Sequence, residues 1–352
     1  MADWLSSMQQ TFEYYIVDPG TWKDVQPLNN VKKSTILRDS TVDTLGSATI
    51  DITDEIDECY IRIYLVTIQN GYRERHPLGT FLVQTPSISF DGKISTVSLD
   101  AYTPLMELKE SLPPLGYYVP KNTNIMTRAY GLVRENARAP VVEPKCDEKL
   151  YSDFVSDVNE NWMNFLIDFI SGADYSFELD ANGRILFSPN QDTASLTPVW
   201  TYNDDNSSIL YPELTVDRDI YGIPNVVEVI YSSGNDNYYA RVVNDDENSP
   251  ISTVNRGREI VHRVTNPSFA GDPKSAQVKE YAELLLKELS TLEYTVSYTH
   301  GYCPVRIGDC VRLNYEAAGL LNVKAKVIYQ NIKCEPGCPV SEKAVITTKL
   351  WR

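Results

Sequence analysis

The sequence is poor in histidine and in long apolar stretches, and each shortage excludes a class of function. Among 352 residues there are only three histidines, His76, His262 and His300. Imidazole is a very common general base and metal ligand, so chemistry that depends on it has few residues to use here. No apolar run approaches the roughly 20 residues that span a bilayer, and we expect no membrane insertion.

Basic charge is also scarce. Acidic residues outnumber basic ones by 48 to 32, which gives a formal charge of −16 and a pI near 4.7. Binding to nucleic acid or to anionic membranes needs a basic face. The sequence therefore predicts no specific nucleic-acid binding. Residues 1–5 lack the basic and apolar regions of a signal peptide, and we expect synthesis in the cytoplasm.

The six cysteines form neither a dense disulfide framework nor a recognisable metal site. Cys303, Cys310, Cys334 and Cys338 have the wrong spacing for a zinc knuckle, and alternation along a strand makes Cys310 a core residue. We expect buried or free thiols, no metal and no cofactor. A disulfide between Cys334 and Cys338 stays an open alternative at this stage.

Catalytic motifs are absent as well: no HExxH, GxSxG, P-loop or GxGxxG pattern is present. His300 and Cys303 are the one thiol–imidazole neighbourhood, but a nucleophile needs its base within hydrogen-bond reach, which nearness in sequence does not establish. His76 falls in the charged segment 73–77, which we predict to be a surface loop. Nothing singles out a carboxylate pair for glycoside hydrolysis. We therefore predict no catalytic, cofactor-binding or metal-binding residue.

Three polar loops are considered as calcium-binding sites because they are rich in Asp and Asn. The acidic loops at 203–206 and 244–248 do not place carboxylates at alternate positions around a glycine, as calcium loops do. The segment 180–183 has part of that spacing but no closing acidic residue. We expect solvated turns in the first two cases and a hairpin turn in the third.

The residues that are plentiful indicate β-structure. Tyrosine occurs 23 times against 9 phenylalanines, and tyrosine favours half-exposed strands. Residues 59–66 alternate in the two-residue period of a strand, and Asn70-Gly71 favours a tight hairpin turn after it. A strand is predicted at 79–84, and Asp91-Gly92 joins predicted strands at 87–90 and 94–99. The first third of the chain predicts a small barrel or sandwich.

A different pattern follows the Pro-Pro-Gly connector at 112–116. Helical spacing predicts one helix near 123–137 and a second near 158–171, with Val158 and Trp162 on the buried stripe of the second and Gly172 as its stop. Predicted strands at 175–179 and 184–187 then form a hairpin packed against that helix. This segment predicts a compact α+β unit.

The last part returns to strands. A hairpin is predicted from 226–231 and 238–243, followed by a helix near 273–289 with Asp272 as N-cap and Pro273 at its first position. Further strands are predicted at 294–298, 310–315, 323–329 and 344–350. The predicted fold is mainly β with an inserted α+β unit. The predicted domains are a β-barrel at 1–111, the α+β unit at 112–205 and a second β domain at 206–352.

Several stretches resemble the tail hub proteins of Gram-positive prophages and of phage-tail-like bacteriocins. They are ECYIRIYL at 58–65, GYRERHPLGTFLV at 71–83, the segment 90–105, the helix around Trp162 with 175–189, and CPVRIGDCV at 303–311. The resemblance covers most of the chain. Its motifs are structural, so it transfers no functional residue.

Such hubs are similar to the baseplate hub of contractile phages and to the spike base of type VI secretion. The resemblance implies a homotrimeric ring that joins the hexameric tail tube to the central spike, each chain supplying two tube-like β-barrel domains. It implies as partners the tail tube protein, the spike protein, the tape-measure protein and other baseplate proteins. The location implied is a virion or phage-tail-like particle, with DNA or the tape-measure protein passing through the lumen. Acidic residues either line that lumen or keep the protein soluble.

We expect a non-enzymatic structural hub, and two other functions stay open. A tail-associated cell-wall hydrolase should add a catalytic region, whereas we expect the fold to close with the last strand. A carbohydrate-binding tail component should cluster its tryptophans, and the five present are scattered. An intact phage and a DNA-free bacteriocin, with a contractile or a non-contractile tail, all fit the expectation.

Overall fold

The computed structural model describes residues 2–92, 94–205, 208–218, 220–233, 236–267 and 274–351. Within these ranges the strands are β1 (Gln9–Asp18), β2 (Lys23–Pro27), β3 (Val31–Asp39), β4 (Gly46–Ile52), β5 (Tyr60–Gln69), β6 (Tyr72–Asp91), β7 (Ile94–Tyr102), β8 (Tyr118–Val119), β9 (Phe154–Val155), β10 (Tyr175–Leu179), β11 (Ile185–Pro189), β12 (Trp200–Asn203), β13 (Leu210–Asp217), β14 (Val226–Ser233), β15 (Asp236–Val243), β16 (Val261–Thr265), β17 (Thr291–Gly301), β18 (Cys310–Tyr315), β19 (Leu320–Lys333) and β20 (Pro339–Lys349). The helices are α1 (Met106–Glu110), α2 (Ile125–Asn136), α3 (Trp162–Ser171), α4 (Thr253–Arg256) and α5 (Ser275–Leu289).

The fold is mainly β, as predicted. Thirteen strands form one sheet in the order β13-β17-β20-β19-β3-β4-β7-β6-β5-β1-β2, with β18 beside β19 and β12 beside β18. The late strand β19 pairs antiparallel with the early strand β3, from Tyr329 opposite Asp39 to Lys333 opposite Thr35. The two β-rich regions of the sequence therefore share a sheet.

The chain divides into two compact units. The first comprises Met1–Leu214 and Ser297–Ala344, and the second comprises Thr215–Val296 and Val345–Arg352. The predicted division at 1–111, 112–205 and 206–352 stays a prediction.

The hairpin between β5 and β6 turns at the predicted pair. Asn70 has φ 51° and Gly71 has φ 80°, the left-handed conformation that a two-residue hairpin turn needs. The predicted surface loop at 73–77 is wrong, because β6 runs through it. Pro77 has no N–H to donate, and it lies where the register against β5 shifts, a position that strands allow to proline.

The early strands enclose an apolar core in the first unit. Its buried side chains come from alternate positions of neighbouring strands and include Ile36, Ile50, Ile61, Ile63, Leu65, Leu99 and Val340. Fully burying side chains of this size stabilises the fold by about 1.5–3 kcal/mol each. The contribution of Val340 from β20 shows that late strands complete the core of the early ones.

Helices α2 and α3 and the hairpin β10–β11 form a second core in the same unit. Asn124 and Asn161 cap α2 and α3, each accepting a hydrogen bond from the backbone N–H three residues on. Helix α3 begins at Trp162, so the prediction that Val158 belongs to its buried stripe is wrong; Val158 is 77 % exposed. Gly172 is the C-cap of α3, with a right-handed φ of −62°.

The β10–β11 turn packs closely on strands β5 and β6 and on Trp22. The carbonyl of Asn182 accepts hydrogen bonds from Trp22 Nε1 at 2.9 Å, Thr80 Oγ1 at 2.8 Å and Arg62 at 3.3 Å. Gly183 has φ 74°, and a Cβ there would lie 2.7 Å from the Cβ of Thr80. The turn therefore requires glycine for conformation and for space.

The second unit contains the sheet β15-β14-β16 with α5 packed against it. The core between them consists of Val227, Val229, Ala240, Val278, Ala282 and Leu286. Asp272 and Pro273, predicted as the start of the helix, lie outside the described residues. In the described part α5 begins at Ser275, and the side chain of Gln277 accepts a hydrogen bond from the N–H of Lys274. None of the described helices is both long and apolar enough to cross a membrane.

Candidate functional site

A cluster of buried polar side chains lies in the first unit, where strands β12, β17, β19 and β20 come together. Tyr202, Tyr298, His300, Gln330 and Glu342 are each no more than 3 % exposed. Their placement follows from strand alternation: inward positions of β17 read Tyr294, Val296, Tyr298 and His300, and those of β20 read Val340, Glu342, Ala344 and Ile346. Polar residues occupy core positions here, so they must hydrogen-bond with one another.

Glu342 is the centre of this cluster. Its Oε1 accepts from Tyr298 Oη at 2.5 Å, and its Oε2 accepts from Gln330 Nε2 at 2.6 Å. His300 Nε2 lies 3.3 Å from the same Oε2 and 3.1 Å from Tyr202 Oη. The carboxylate of Glu342 thus has three polar side chains within hydrogen-bond distance in the core.

His300 is the cation of the cluster. Its Nδ1 lies 2.7 Å from the carbonyl oxygen of Gly301, an acceptor that requires a proton on Nδ1. Burial lowers the pKa of His300, but hydrogen bonds with Cys303 and Glu342 and the charge of Glu342 outweigh it and raise the pKa to about 10. The imidazole is therefore protonated on both nitrogens at neutral pH and pairs with Glu342.

The neighbouring residues His300 and Cys303 do meet in space. Cys303 Sγ lies 4.0 Å from His300 Nδ1, and Tyr202 Oη lies 3.3 Å from the same sulfur. Cys303 is only 1 % exposed, so no substrate reaches its sulfur from solvent. The arrangement stabilises an ion pair in the core and gives no substrate access to the sulfur.

The cluster also joins early and late strands. Gln330 Oε1 accepts from an Arg38 nitrogen at 2.8 Å, and its Nε2 donates to Val305 as well as to Glu342. Arg38, on β3, donates its other terminal nitrogen to the Leu78 carbonyl at 2.6 Å. One continuous chain of hydrogen bonds thus runs from β6 through β3 and β19 to β20.

The four cysteines considered for zinc do not converge. Cys310 Sγ faces the carbonyl of Val311 at 3.7 Å, whereas Cys334 and Cys338 belong to the apolar core of the early strands. Both of these thiols are free, and burial raises their pKa values, to about 12 for Cys334. Across the described ranges no group of three His, Cys, Asp or Glu residues is placed to hold a metal ion.

In the polar loops considered for calcium, the carboxylates accept hydrogen bonds from backbone N–H groups. Asp180 Oδ1 accepts from the N–H groups of Asn182 and Arg184, which closes the hairpin turn. Asp246 Oδ1 accepts from the N–H of Asn248 in the same way. In the loop at 203–206, of which Asn206 lies outside the described residues, Asp204 accepts from the N–H of Glu316.

His76 lies on β6 rather than in a loop. Its Nε2 is 3.0 Å from Thr67 Oγ1, and its ring meets Trp4 edge-on at 4.8 Å between centroids. Burial lowers its pKa, against the opposing effect of Glu74. These contacts make His76 part of the packing of the N-terminal segment.

Exposed apolar side chains mark the far end of the hairpin β6–β7. Phe90 is 78 % exposed and Ile88 is 43 % exposed, and the two share one face of β6 because they are two residues apart. A long hairpin that ends in exposed apolar side chains is suited to contact with another protein surface.

Sequence reasoning found His300 and Cys303 but missed Glu342, Tyr202, Gln330 and Arg38. The alternation of β20 could have identified Glu342 as a buried residue, because it lies between Val340 and Ala344 at the inward positions of the strand. A carboxylate in a core position requires a buried donor, and histidine in the neighbouring strand is a suitable one. The positions of Arg38 and Gln330 depend on the β3–β19 pairing, which no local pattern specifies.

Comparison with known proteins identifies the fold. No family model and no curated protein matches the sequence. Among solved structures, a tail protein from Neisseria meningitidis MC58 matches with a TM-score of 0.65 at 12 % identity, over 95 % of this chain and 96 % of the other. The 43 kDa tail protein of prophage MuSo2 from Shewanella oneidensis matches with a TM-score of 0.64 at 12 % identity, over 96 % and 98 %.

A third solved structure extends the comparison. The Escherichia coli protein c3393, described as a type VI secretion component similar to bacteriophage T4 tail proteins gp27 and gp5, matches with a TM-score of 0.50 at 9 % identity, over 96 % of this chain and 78 % of the other. The fold of this chain is therefore that of phage tail proteins.

Proposed function

We propose that the protein is the structural hub of a phage tail or of a related contractile injection particle. In this proposal three copies form a ring that joins the hexameric tail tube to the central spike. The observation that carries it is the fold match to the Neisseria tail protein over nearly the whole of both chains. The similarity to a type VI component supports the same role, because that protein is itself described as similar to tail proteins.

The proposed partners follow from that position. They are two further copies of this chain, the tail tube protein, the spike protein, the tape-measure protein and other baseplate proteins, within a virion or phage-tail-like particle. In the ring, residues 1–111 and 206–352 supply the two tube-like parts, with 112–205 between them. DNA or the tape-measure protein passes through the lumen without specific binding, which agrees with the formal charge of −16.

We assign the role to assembly rather than to catalysis. The site that most resembles a catalytic arrangement, Cys303 with His300 and Glu342, is buried and closed to substrates. Zymography of the purified protein on bacterial cell walls should give no clearing, and a clear band would favour the hydrolase alternative.

The β6–β7 hairpin is the proposed contact between copies, because it exposes Ile88 and Phe90. Native mass spectrometry should find a complex near 119 kDa, three times the 39.8 kDa of one chain. Phe90→Asp places a charge in an apolar contact and should yield monomers with unchanged far-UV circular dichroism. Tyr151→Asp is the matched control, because Tyr151 is a fully exposed aromatic elsewhere, and it should stay trimeric.

Two results would overturn these assignments. A monomer at every concentration, both alone and mixed with the tail tube and spike proteins, contradicts the ring. A trimer that Phe90→Asp leaves intact contradicts the assignment of the hairpin but not the trimer itself.

A further inference from the structure

The small sheet of the second unit has an open edge. Its strand order is β15-β14-β16, so within the described residues β15 has a neighbouring strand on one side only. The pairing of β15 with β14 is regular from Val243 opposite Val226 to Asp236 opposite Ser233, with no shift of register. An edge strand presents backbone N–H and C=O groups that no neighbouring strand satisfies.

Hydrogen bonds at one end of this pairing show which residues of β15 point outward. The N–H of Asn244 donates to the Asn225 carbonyl at 2.8 Å, and the N–H of Val226 donates away from β15, to the Ile260 carbonyl at 3.2 Å. In an antiparallel pair, residues that bond across alternate with residues whose N–H and C=O groups point away from the partner strand. Since Val243 lies opposite Val226, it belongs to the second kind. The residues of β15 whose backbone groups face the open edge are Asn237, Tyr239, Arg241 and Val243.

Other edge strands of the chain are short or interrupted, whereas β15 is neither. β2 is five residues long and ends at Pro27, β13 contains Pro212, and β16 is five residues long. Proline and short length are two ways in which proteins prevent another strand from adding to an edge. β15 has eight residues with no proline, no lysine and no bulge. In the part of the chain that the structure describes, no residue outside β14 hydrogen-bonds to its backbone, so this edge is open to a further strand.

The two faces of β15 determine which side chains an added strand needs. Tyr238, Ala240 and Val242 belong to the core with α5, where Ala240 is buried and the other two are only partly covered. Tyr239 and Arg241 lie on the opposite face, and Tyr239 is 57 % exposed. Side chains directly opposite each other on neighbouring strands are in contact. An added strand should therefore be apolar at every second residue, toward α5, and polar at the residues between.

We infer that β15 binds an extended segment of another protein, which adds to the sheet as a strand beside it. The groups that need partners are backbone N–H and C=O, and another backbone in extended conformation satisfies all of them at once. The partner is thus defined by its extended conformation and by its alternation of apolar and polar residues.

A second copy of this chain fits the edge less well than another protein does. Two copies that paired β15 with β15 would be related by a twofold axis, which a ring of three cannot satisfy at every edge. Strand β16 of a neighbouring copy, with five residues, is too short to cover the eight of β15. The choice of another protein therefore rests on the proposed ring, whereas the binding of a strand does not.

A peptide with the sequence of Val226–Ser233 is the probe, because it has the required alternation and β14 itself pairs with β15. Hydrogen exchange followed by NMR should show that the peptide slows exchange at the amides of Tyr239 and Arg241 by about tenfold or more. The same peptide with Val229→Pro should have no effect, since proline lacks the N–H that a ladder needs. Slow exchange at these two amides in the protein alone would mean that its own chain covers the edge, which would overturn the inference.

Two variants at one position separate the backbone from the side chain. Tyr239→Pro removes an outward N–H without removing a bond of the β14 ladder, and it should abolish peptide binding. Tyr239→Ala removes the same side chain but keeps the N–H, and its affinity should stay within about threefold of the wild-type value. Equal affinities of the two variants would overturn the inference. The exchange experiment on the wild type gives its result whether or not Tyr239→Pro folds.

The oligomeric state tests the choice of partner. Any oligomer of the wild type in native mass spectrometry should persist in both Tyr239 variants. An oligomer that is lost in Tyr239→Pro and kept in Tyr239→Ala would mean that a second copy covers the edge, and would overturn the assignment to another protein. The ring itself is tested by Phe90→Asp, so the two proposals fail separately.

Discussion

Two carboxylates in this chain have similar partners and opposite surroundings. Glu342, in the first unit, accepts from Tyr298 and pairs with His300, whose side chain is 0 % exposed. Glu228, in the second unit, accepts from Tyr239 at 3.0 Å and pairs with Arg263, whose side chain is 61 % exposed. The chemistry of the hydrogen bonds is nearly the same, so the comparison isolates the effect of burial.

Because the Glu342 cluster is buried, we expect its contacts to contribute more to the free energy of unfolding than those of Glu228. A charge in the core that loses its partner has no water to replace it, whereas an exposed charge is rehydrated at once. Hydrogen bonds to Arg263 and Tyr239 lower the pKa of Glu228, while the pKa of His300 rises to about 10. The two clusters should therefore respond very differently to the same substitutions.

The largest effect should follow from Glu342→Ala. The variant leaves the imidazolium of His300 without its counter-charge in the core, and the free energy of unfolding should fall by about 3–5 kcal/mol. Urea unfolding followed by circular dichroism measures it. A loss within the error of the wild-type value would mean that the cluster is hydrated rather than buried.

The next effect is that of alkaline pH. The folded pKa of His300 is about 10, above the ordinary value of 6.5 expected in the unfolded chain. Protonation therefore stabilises the folded state fully below pH 6.5, and this contribution is lost as the pH rises toward 10. Between pH 7 and pH 9 the free energy of unfolding should fall by about 2 kcal/mol, since one pKa unit corresponds to about 1.4 kcal/mol.

The control for the pH experiment is His300→Gln, which removes the titrating group. Its stability should change much less over the same interval. The tyrosines Tyr202 and Tyr298 have pKa values raised above 10 by burial, so their contribution to the pH dependence begins only above this interval. Equal pH dependence in the variant and the wild type would show that His300 is neutral in the folded protein.

A smaller effect is expected from Gln330→Leu. The variant removes an acceptor from Arg38 and a donor from Glu342, and leaving buried polar groups unsatisfied costs about 1–3 kcal/mol. Thermal unfolding should show the loss. Gln84→Leu is the matched control, because Gln84 donates to Glu110 at the surface and its loss should have little effect.

The smallest effect should be that of Glu228→Ala, which removes the exposed cluster's carboxylate for comparison with Glu342→Ala. Its partners Arg241 and Arg263 remain hydrated, so the melting temperature should stay within about 1 °C of the wild-type value. A loss as large as that of Glu342→Ala would show that burial does not distinguish the two clusters.

The sequence predicted local structure better than long-range pairing. Alternation and turn chemistry identified β5 with its Asn70-Gly71 turn, and helical spacing identified α2 and α3. The same reasoning took residues 73–77 for a loop, because a charged segment that ends in proline has the composition of one. Pro77 is accommodated by a register shift against β5, which only the paired strand reveals.

The candidate site was predictable only in part. His300 and Cys303 are three residues apart, so their proximity could be expected from sequence. Glu342 and Arg38 come from strands 42 and 262 residues away from His300, and the hydrogen bonds that join them require the β3–β19 pairing. The domain division at 1–111, 112–205 and 206–352 stays a proposal. It was drawn from local patterns, which do not reveal that β3 and β19 pair in one sheet.

The central claim of the proposed function is that three copies of this chain form a ring, and one measurement tests it directly. Cryo-electron microscopy of the purified protein mixed with its tail tube protein should show threefold rings seated on tube ends. A single copy bound at the tube end, or no binding at any concentration, would contradict the proposal.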